Sequence, residues 1–251
     1  MHPDILALRE FYYATPLGDM VRRRLGARMS VFWPSCKAMT VAGFGFTAPF
    51  MKSVSRGAAR AFALMPASQG VMHWPARGPN ASALVEPHSW PLQASAIDRL
   101  LLAHGLENAI QPDLLLDECW RVLTPEGRVI VLAPNRSGLW ARRDGTPFGH
   151  GRPYSMNQLS TQMAQHGLDV VRSAGALYTP PSESRFWTRA GPVVERAGRR
   201  LDAQRLAGVL IVEAIKRIPA PRRGSKVSAF KPLPAIGAFA GAAPEPTQRK
   251  K

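Results

Sequence analysis

Acidic residues are scarce in this chain of 251 residues, which has 17 Asp and Glu against 33 Lys and Arg and a formal net charge of +16. None occurs between Lys52 and Glu86. Half of the positive excess lies in residues 216–251, which hold nine basic residues and one acidic residue. Because residues 219–251 are rich in Pro, Ala and Gly and lack periodicity, we predict a disordered basic tail there. It can contact nucleic acid or an anionic surface weakly through counterion release, although a solvated tail is the simpler interpretation.

Cysteines and long apolar runs are also scarce. Cys36 and Cys119 are the only cysteines, which is too few for a disulfide framework, so we interpret them as structural thiols in a reducing compartment. Asp4, Arg9 and Glu10 interrupt the amino terminus, which argues against a signal peptide. No uncharged apolar run approaches the ~20 residues that a membrane span needs. These absences predict a cytoplasmic protein.

Strands alternate with helices along the chain, which predicts an α/β fold. The predicted strands are 37–42, 60–65, 83–85, 97–103, 129–133, 168–178 and 206–215, and the predicted helices are 4–13, 15–28, 48–59, 155–166, 184–199 and one that Pro112 opens. We expect a Rossmann-like, mostly parallel seven-stranded sheet with helices on both faces. The expected organisation is amino-terminal helices at 1–34, packed on a domain at 35–218 that precedes the tail.

The most regular stretch is 97–135. Its apolar runs 97–103 and 129–133 are typical of buried parallel strands. Between them, Pro112 suits the first turn of a helix, and Pro125 with Gly127 is expected to end that helix. Its apolar residues recur at helical spacing, namely Leu115, Leu116, Cys119, Trp120 and Leu123. Such a strand–helix–strand unit belongs to open α/β sheets, where ligands lie at the carboxyl ends of the strands.

Two motifs in this stretch resemble the class I S-adenosylmethionine (SAM)-dependent methyltransferases, in a divergent form similar to methyltransferase type 11. Residues 104–107, His-Gly-Leu-Glu, are similar to the H-x-L-E loop after the family's fourth strand. Residues 118–127 are similar to its E-x-x-R-V-L-x-P-G-G turn, with Glu126 in place of one glycine. The resemblance spans residues 38–135 and implies SAM as the cofactor.

The resemblance also implies which residues contact the cofactor. Gly43 and Gly45 follow the first strand, and in the family this turn faces the methionine part of SAM, since glycines let the backbone approach a ligand closely. Glu86 matches a residue that meets the adenine end, and His104 lies in the loop that faces the cofactor. The two glycines with Ala48 also fit a dinucleotide fingerprint, and they fit a purely structural turn.

An acid is missing after the second strand. In SAM and NAD sites a carboxylate at that position accepts hydrogen bonds from the ribose hydroxyls. Here the strand ends in residues 64–69, Leu-Met-Pro-Ala-Ser-Gln. Gln69 offers one acceptor in its place. The loss of a charge-assisted hydrogen bond costs roughly 1.5–3 kcal/mol, which weakens binding without abolishing it.

Residues 134–155 form a long loop after the fifth strand, where a substrate is expected. The loop contains four arginines and the aromatic residues Trp140, Phe148 and Tyr154, so we predict an ordered lid. It resembles the corresponding loop in a bacterial branch of methyltransferase-like proteins. Arg136, Arg152 and Tyr154 are the candidate substrate-binding residues, because arginine holds anions by paired contacts. The alternative is a solvated basic loop anchored by its aromatic residues.

A methyl transfer from SAM needs little beyond in-line positioning. Candidates for a general base are His104, His150 and Tyr154. The histidines lack the spacing of metal ligands, so no metal site is predicted.

The leading hypothesis is therefore SAM-dependent methyl transfer to a small-molecule or macromolecular acceptor that the sequence does not identify. A second hypothesis is a non-catalytic binding or regulatory module that kept the fold. A third is a nicotinamide-dependent oxidoreductase, against which the missing acid and the residues 118–127 both argue.

Overall fold

Seven strands form one sheet in a computed structural model, in which the structure describes residues 3–182, 184–200 and 204–218. The strands are β1 Thr40–Gly45, β2 Arg60–Pro66, β3 Ser82–Val85, β4 Ile97–Ala103, β5 Leu123–Pro134, β6 Leu168–Ala176 and β7 Val209–Lys216. Their spatial order is β3-β2-β1-β4-β5-β7-β6. Strands β1 to β5 pair in parallel, and β7 runs antiparallel to both β5 and β6. The predicted mostly parallel, seven-stranded α/β sheet is confirmed.

The described residues include six α-helices, which pack around the sheet. They are α1 Ile5–Ala14, α2 Pro16–Phe32, α3 Ala48–Val54, α4 Pro112–Val122, α5 Met156–Gln165 and α6 Arg185–Arg200. Local signals start the first two: the Asp4 carboxylate accepts a hydrogen bond from the Ala7 N–H, and Thr15 caps α2 just before Pro16. No helix among the residues with a described placement is long and apolar enough to cross a membrane.

Two apolar layers lie on opposite faces of the sheet, because successive strand side chains alternate. One layer joins α1, α2 and α3 to strand residues such as Val41, Leu101 and Ile211. The other joins α4 and α5 to their neighbours Ala42 and Leu102. The amino-terminal helices therefore supply core, since Leu8 and Tyr12 are fully buried.

Several predicted boundaries are wrong: α3 ends at Val54 rather than at residue 59, β5 begins at Leu123 rather than at residue 129, and β7 begins at Val209 rather than at residue 206. Two differences concern the residues beside the candidate site. Strand β1 begins three residues later than predicted and continues through Gly43 and Gly45. A Cβ on Gly43 would lie 2.1 Å from Oγ1 of Thr47, so glycine is needed there for α3 to pack on the strand. Helix α4 ends at Val122, and the predicted terminators Pro125 and Gly127 lie inside β5. The chain passes directly from helix to strand at Leu123.

Glu213 links three elements from the middle of β7. Its side chain is fully buried, and it accepts hydrogen bonds from the Trp33 indole at 2.9 Å, from Arg172 at 2.8 Å and from Arg128 at 3.2 Å. The carboxylate therefore joins the end of α2 to strands β5 and β6. A buried charge is tolerated here because it is paired and hydrogen-bonded on both oxygens.

Candidate cofactor site

A cavity of about 310 Å³ lies where the strand order reverses between β1 and β4. Residues at or just after the carboxyl ends of β1, β2, β3 and β4 line it, together with the residue that precedes α4. They are Phe44, Pro66, Ser68, Gln69, Glu86, Pro87, His88, Gly105, Asn108, Ala109, Ile110 and Gln111. Open α/β sheets bind their ligands at such a switch point. The volume is at the small end of the range for ligand pockets.

Two of the predicted cofactor residues, Gln69 and Glu86, line this cavity. Glu86 is exposed to solvent and is the only acidic residue in the lining. Phe44, Ala109 and Ile110 give the cavity apolar surface. The arrangement combines one carboxylate with apolar contacts, which suits a ligand with a polar diol and a flat ring.

Gly43 and Gly45 lie beside the cavity but do not line it. Gly43 packs on α3. Gly45 has φ +85°, and a Cβ there would lie 2.3 Å from the Ala103 carbonyl oxygen. A side chain at this position would therefore collide with the backbone of β4, so Gly45→Val is expected to strain the fold itself. Gly105, rather than Gly43 or Gly45, is the glycine whose backbone lines the cavity.

His104 sits in a buried polar cluster behind that wall. Its Nε2 lies 2.7 Å from the Tyr12 hydroxyl, and its Nδ1 lies 3.2 Å from Oε1 of Glu107. All three side chains are 1% exposed or less. Neither carboxylate oxygen of Glu107 receives a hydrogen bond from the residues described. Burial and the nearby Glu107 charge raise the pKa of Tyr12 well above its ordinary value, so this phenol stays protonated.

The backbone of His104 is held in an uncommon conformation. Its φ of +54° is left-handed, which a non-glycine residue adopts only where its surroundings hold it. The side-chain amides of Gln69 and Asn108 both donate to the His104 carbonyl oxygen, the second at 3.1 Å. Gln69 thus connects the end of β2 to the loop after β4.

Aromatic rings fill the space on the far side of His104. Phe148 lies 4.9 Å from the imidazole between ring centroids, and Trp140 packs edge-on against Phe148. On the other flank, Tyr12 stacks against Phe46 at 5.7 Å. Tyr12, Phe46, His104, Trp140 and Phe148 are called the aromatic cluster below. None of its members lines the cavity.

The loop after β5 is ordered and covers this cluster. Its Arg152 N–H donates to the Glu107 carbonyl oxygen at 2.8 Å, and the Trp140 indole donates to the Thr179 carbonyl oxygen at 2.7 Å. Trp140 and Phe148 are buried. Arg136 and Arg152 project from the loop as exposed side chains. They lie outside the cavity lining and remain predicted substrate contacts.

The three candidate general bases have different surroundings. His104 is buried among the other rings of the aromatic cluster. His150 is partly exposed, and its Nε2 lies 2.9 Å from the Asp144 carbonyl oxygen. Tyr154 is 7% exposed, and burial raises its pKa to about 12, with a further contribution from Glu107. A phenol with that pKa is a poor base near neutral pH.

The motif residues Glu118 and Arg121 position the loop after β3. Glu118 accepts a hydrogen bond from the Trp90 N–H at 2.7 Å, and Arg121 donates to the Leu92 carbonyl oxygen at 2.9 Å. The two side chains also pair with each other, at 2.6 Å. Trp90 is buried and stacks on Phe44 at 4.9 Å. Glu118 and Arg121 therefore hold in place the part of the cavity wall that includes Glu86 and Phe44.

Sequence reasoning missed Tyr12, Phe44 and Asn108. Phe44 lies between the two glycines of the predicted turn, and Asn108 follows Glu107 directly, so proximity to the motifs was a signal for both. Tyr12 is separated from His104 by 92 positions and carries no local signal. Within the described ranges, no group of three or more His, Cys, Asp or Glu is placed to bind a metal.

The sequence matches no protein-family model and no curated protein closely enough to show a relationship. Solved structures do match the fold. A SAM-dependent methyltransferase from Thermotoga maritima superposes with a TM-score of 0.60 and 14% identity, over 85% of this chain and 96% of that one. A protein in complex with the Haloferax volcanii Trm112 methyltransferase activator superposes with a TM-score of 0.59 and 14% identity, over 84% of this chain and 98% of that one.

A third neighbour, geranyl diphosphate C-methyltransferase from Streptomyces coelicolor with bound S-adenosyl-L-homocysteine, gives a TM-score of 0.52 and 14% identity, over 77% of this chain and 75% of that one. Identities this low show a shared fold alone. The chain has the fold of the class I SAM-dependent methyltransferases.

Proposed function

We propose that this chain, which has the class I methyltransferase fold, binds SAM in the cavity between β1 and β4 and transfers its methyl group to an acceptor. The observation that carries the proposal is the cavity itself. It lies at the switch point of the sheet, and the ends of four parallel strands contribute its walls. In open α/β sheets this is the place where a nucleotide-like ligand binds.

The lining fits the nucleoside part of SAM. The sequence resemblance places Glu86 at the adenine end of SAM. Here we assign its two acceptor oxygens to the ribose diol instead, which compensates for the missing acid after β2. Phe44 and Ile110 offer apolar surface to the purine, and Gly105 lets the backbone come close. Gln69 holds the wall through its amide and lies beside the same ligand. These roles follow from the residue types and their places in the lining.

When bound, SAM supplies a methyl group that its sulfonium already activates, so the protein's task is to orient the acceptor and exclude water. The aromatic cluster and the loop over it exclude water on the side of His104, where the rings fill the space. His104 keeps its imidazole oriented through Tyr12 and Glu107. An acceptor reaches this region only if α1 or the loop after β5 gives way, because the rings there are closely packed.

That same packing favours the second candidate function, a non-catalytic module that binds SAM or its product. Its specific support is the closed aromatic cluster beside the cavity, together with the absence of an acid after β2. Ligand binding alone does not separate the two functions, whereas methyl transfer does.

A titration followed by a transfer assay tests both. The full chain is titrated by calorimetry with SAM, S-adenosyl-L-homocysteine and NAD, and we expect heat from the first two only. Gly105→Val is the cavity variant, because a Cβ there would lie 2.8 Å from the Phe44 ring. Gly145→Val is its control, since nothing lies within 4 Å of a Cβ at that position.

We expect Gly105→Val to weaken SAM binding at least tenfold and Gly145→Val to leave it unchanged. Equal affinities in the two variants would place the ligand elsewhere, and an absence of binding to the folded chain would overturn the proposal. Methyl-labelled SAM is then incubated with the chain and a cell extract. Label transfer supports the enzyme, and binding without transfer supports the module.

A further inference from the structure

A groove rich in arginine runs between α2 and α6. It consists of two adjoining cavities of about 310 Å³ and 350 Å³, which share Arg23, Arg24 and Pro192 in their linings. Arg28 and Arg196 line the first cavity as well. Four guanidinium groups thus face one concave surface, although they come from segments more than 150 positions apart in the sequence.

The carboxylates nearby neutralise only part of this charge. Glu195 is 6% exposed and pairs with Arg24 at 3.3 Å, while its Oε1 also accepts a hydrogen bond from the Tyr178 N–H. Asp19 pairs with Arg22 at 2.5 Å and also with Arg23. Arg28 and Arg196 form no ion pair within the described part of the chain. Moreover, Nε of Arg28 is buried and donates no hydrogen bond to any of the described residues.

A buried guanidinium nitrogen without an acceptor is costly, and a negative charge beside the same guanidinium group offsets part of that cost. Arginine presents a planar fork of donors that matches the oxygens of a phosphate. The two cavities share lining residues, so together they can accommodate more than one anion of a chain.

Aromatic side chains lie at one end of the groove. Trp187 lines the second cavity, and Phe186 beside it is 64% exposed, with the two ring centroids 5.1 Å apart. An exposed aromatic residue beside a basic groove is the arrangement on which bases of single-stranded nucleic acid stack. The same cavity is lined by Thr179, whose carbonyl oxygen accepts the Trp140 hydrogen bond.

We propose that the groove between α2 and α6 binds single-stranded nucleic acid, with Arg23, Arg28 and Arg196 on the phosphates and Trp187 against a base. This site is separate from the cavity between β1 and β4, and the proposal does not depend on methyl transfer. It is also distinct from the contact predicted for the basic tail, which lies outside the described residues.

The test measures the binding of a fluorescent single-stranded oligouridylate to the full chain by anisotropy, at several salt concentrations. The groove variant is Arg23→Ala/Arg28→Ala/Arg196→Ala. The control is Arg56→Ala/Arg60→Ala/Arg77→Ala, which removes the same charge from exposed positions away from the groove. Both keep the tail, so any contribution from it is equal. Melting temperatures show whether both variants remain folded.

We expect the groove variant to bind about tenfold or more weakly than the control, and its slope of log affinity against log salt to be lower by about 2, as for three lost phosphate contacts. Trp187→Ala is expected to weaken single-stranded binding more than binding to a duplex of the same length. If groove and control variants bind the oligonucleotide equally, the proposal is wrong. Loss of binding to phosphatidylglycerol vesicles, with oligonucleotide binding intact, would also overturn it and assign the groove to lipid.

Discussion

The Tyr12 hydroxyl and Nε2 of His104 lie 2.7 Å apart, and both groups are buried. This contact joins the first helix of the chain to the loop after β4, beside the cavity. The Tyr12 pKa is raised well above its ordinary value, so the hydroxyl keeps its proton and can form this hydrogen bond with the imidazole. The amino-terminal helices are therefore part of the candidate site's support.

Removing that hydroxyl is expected to destabilise the fold. Tyr12→Phe keeps the ring but leaves a buried imidazole nitrogen without its hydrogen-bond partner, which costs about 1–3 kcal/mol. Urea unfolding measures the change in the free energy of unfolding. Tyr13→Phe is the matched control, because Tyr13 is the neighbouring residue and is 47% exposed. Equal stabilities of the two variants would show that the contact contributes little.

Replacing Glu126 by glycine is expected to stabilise the protein. Glu126 has φ +61°, the left-handed conformation that favours glycine, and its ion pair with Arg217 at 3.6 Å is exposed and weak. Relief of backbone strain of about 1–2 kcal/mol exceeds the extra entropy of glycine in the unfolded chain. Glu126→Gly should raise the melting temperature, whereas Glu126→Ala, which lacks the ion pair but keeps the strain, should not.

Stability is expected to fall at alkaline pH, in part through Tyr154. Its pKa is raised to about 12, chiefly by burial, whereas an unfolded tyrosine ionises near pH ~10. The folded state disfavours ionisation, so this contribution is fully present below about pH 10 and is lost as the pH rises towards about 12. Tyr154→Phe should lose less stability across that interval. Parallel curves of unfolding free energy against pH for the two proteins would contradict this.

Glu86 is expected to determine much of the affinity for SAM. Glu86→Gln replaces a charged acceptor by a neutral amide, and the lost charge-assisted hydrogen bond costs about 1.5–3 kcal/mol. Affinity measured by calorimetry should fall by roughly ten- to hundredfold. Glu10→Gln, an exposed change on α1, should bind as the natural chain does. An unchanged affinity in Glu86→Gln would remove this carboxylate from the site.

The sequence predicts the order of elements well because the signals are local. The apolar run of β4 gives its exact bounds, Ile97–Ala103, since both faces of a central parallel strand are buried. The sequence predicts a start of β1 three residues too early, because Gly43 and Gly45 resemble a turn that follows a strand. When a strand contains glycine because a helix packs closely against it, the neighbouring residues in the sequence do not reveal this.

The candidate site was only partly predictable for a related reason. Gln69 and Glu86 follow strand ends, and parallel strands bring their carboxyl ends to one edge of the sheet, so their place in the cavity follows from topology. The assignment of Gly43, Gly45 and His104 to the cofactor, and of Arg136 and Arg152 to a substrate, stays a prediction. Tyr12 and the groove between α2 and α6 depend on contacts between distant segments, which no periodicity reveals.

The hydrogen bond between Trp33 and Glu213 has a consequence for folding during synthesis of the chain. The two residues are 180 positions apart, so at a synthesis rate of 5–20 residues per second the indole waits roughly ten to forty seconds for its acceptor. During that interval α1 and α2 have no β7 to complete their layer, and their apolar faces are available to chaperones or to other nascent chains. Folding of this sheet is therefore expected to finish only after β7 has been made, with late closure of the strand that pairs β5 to β6.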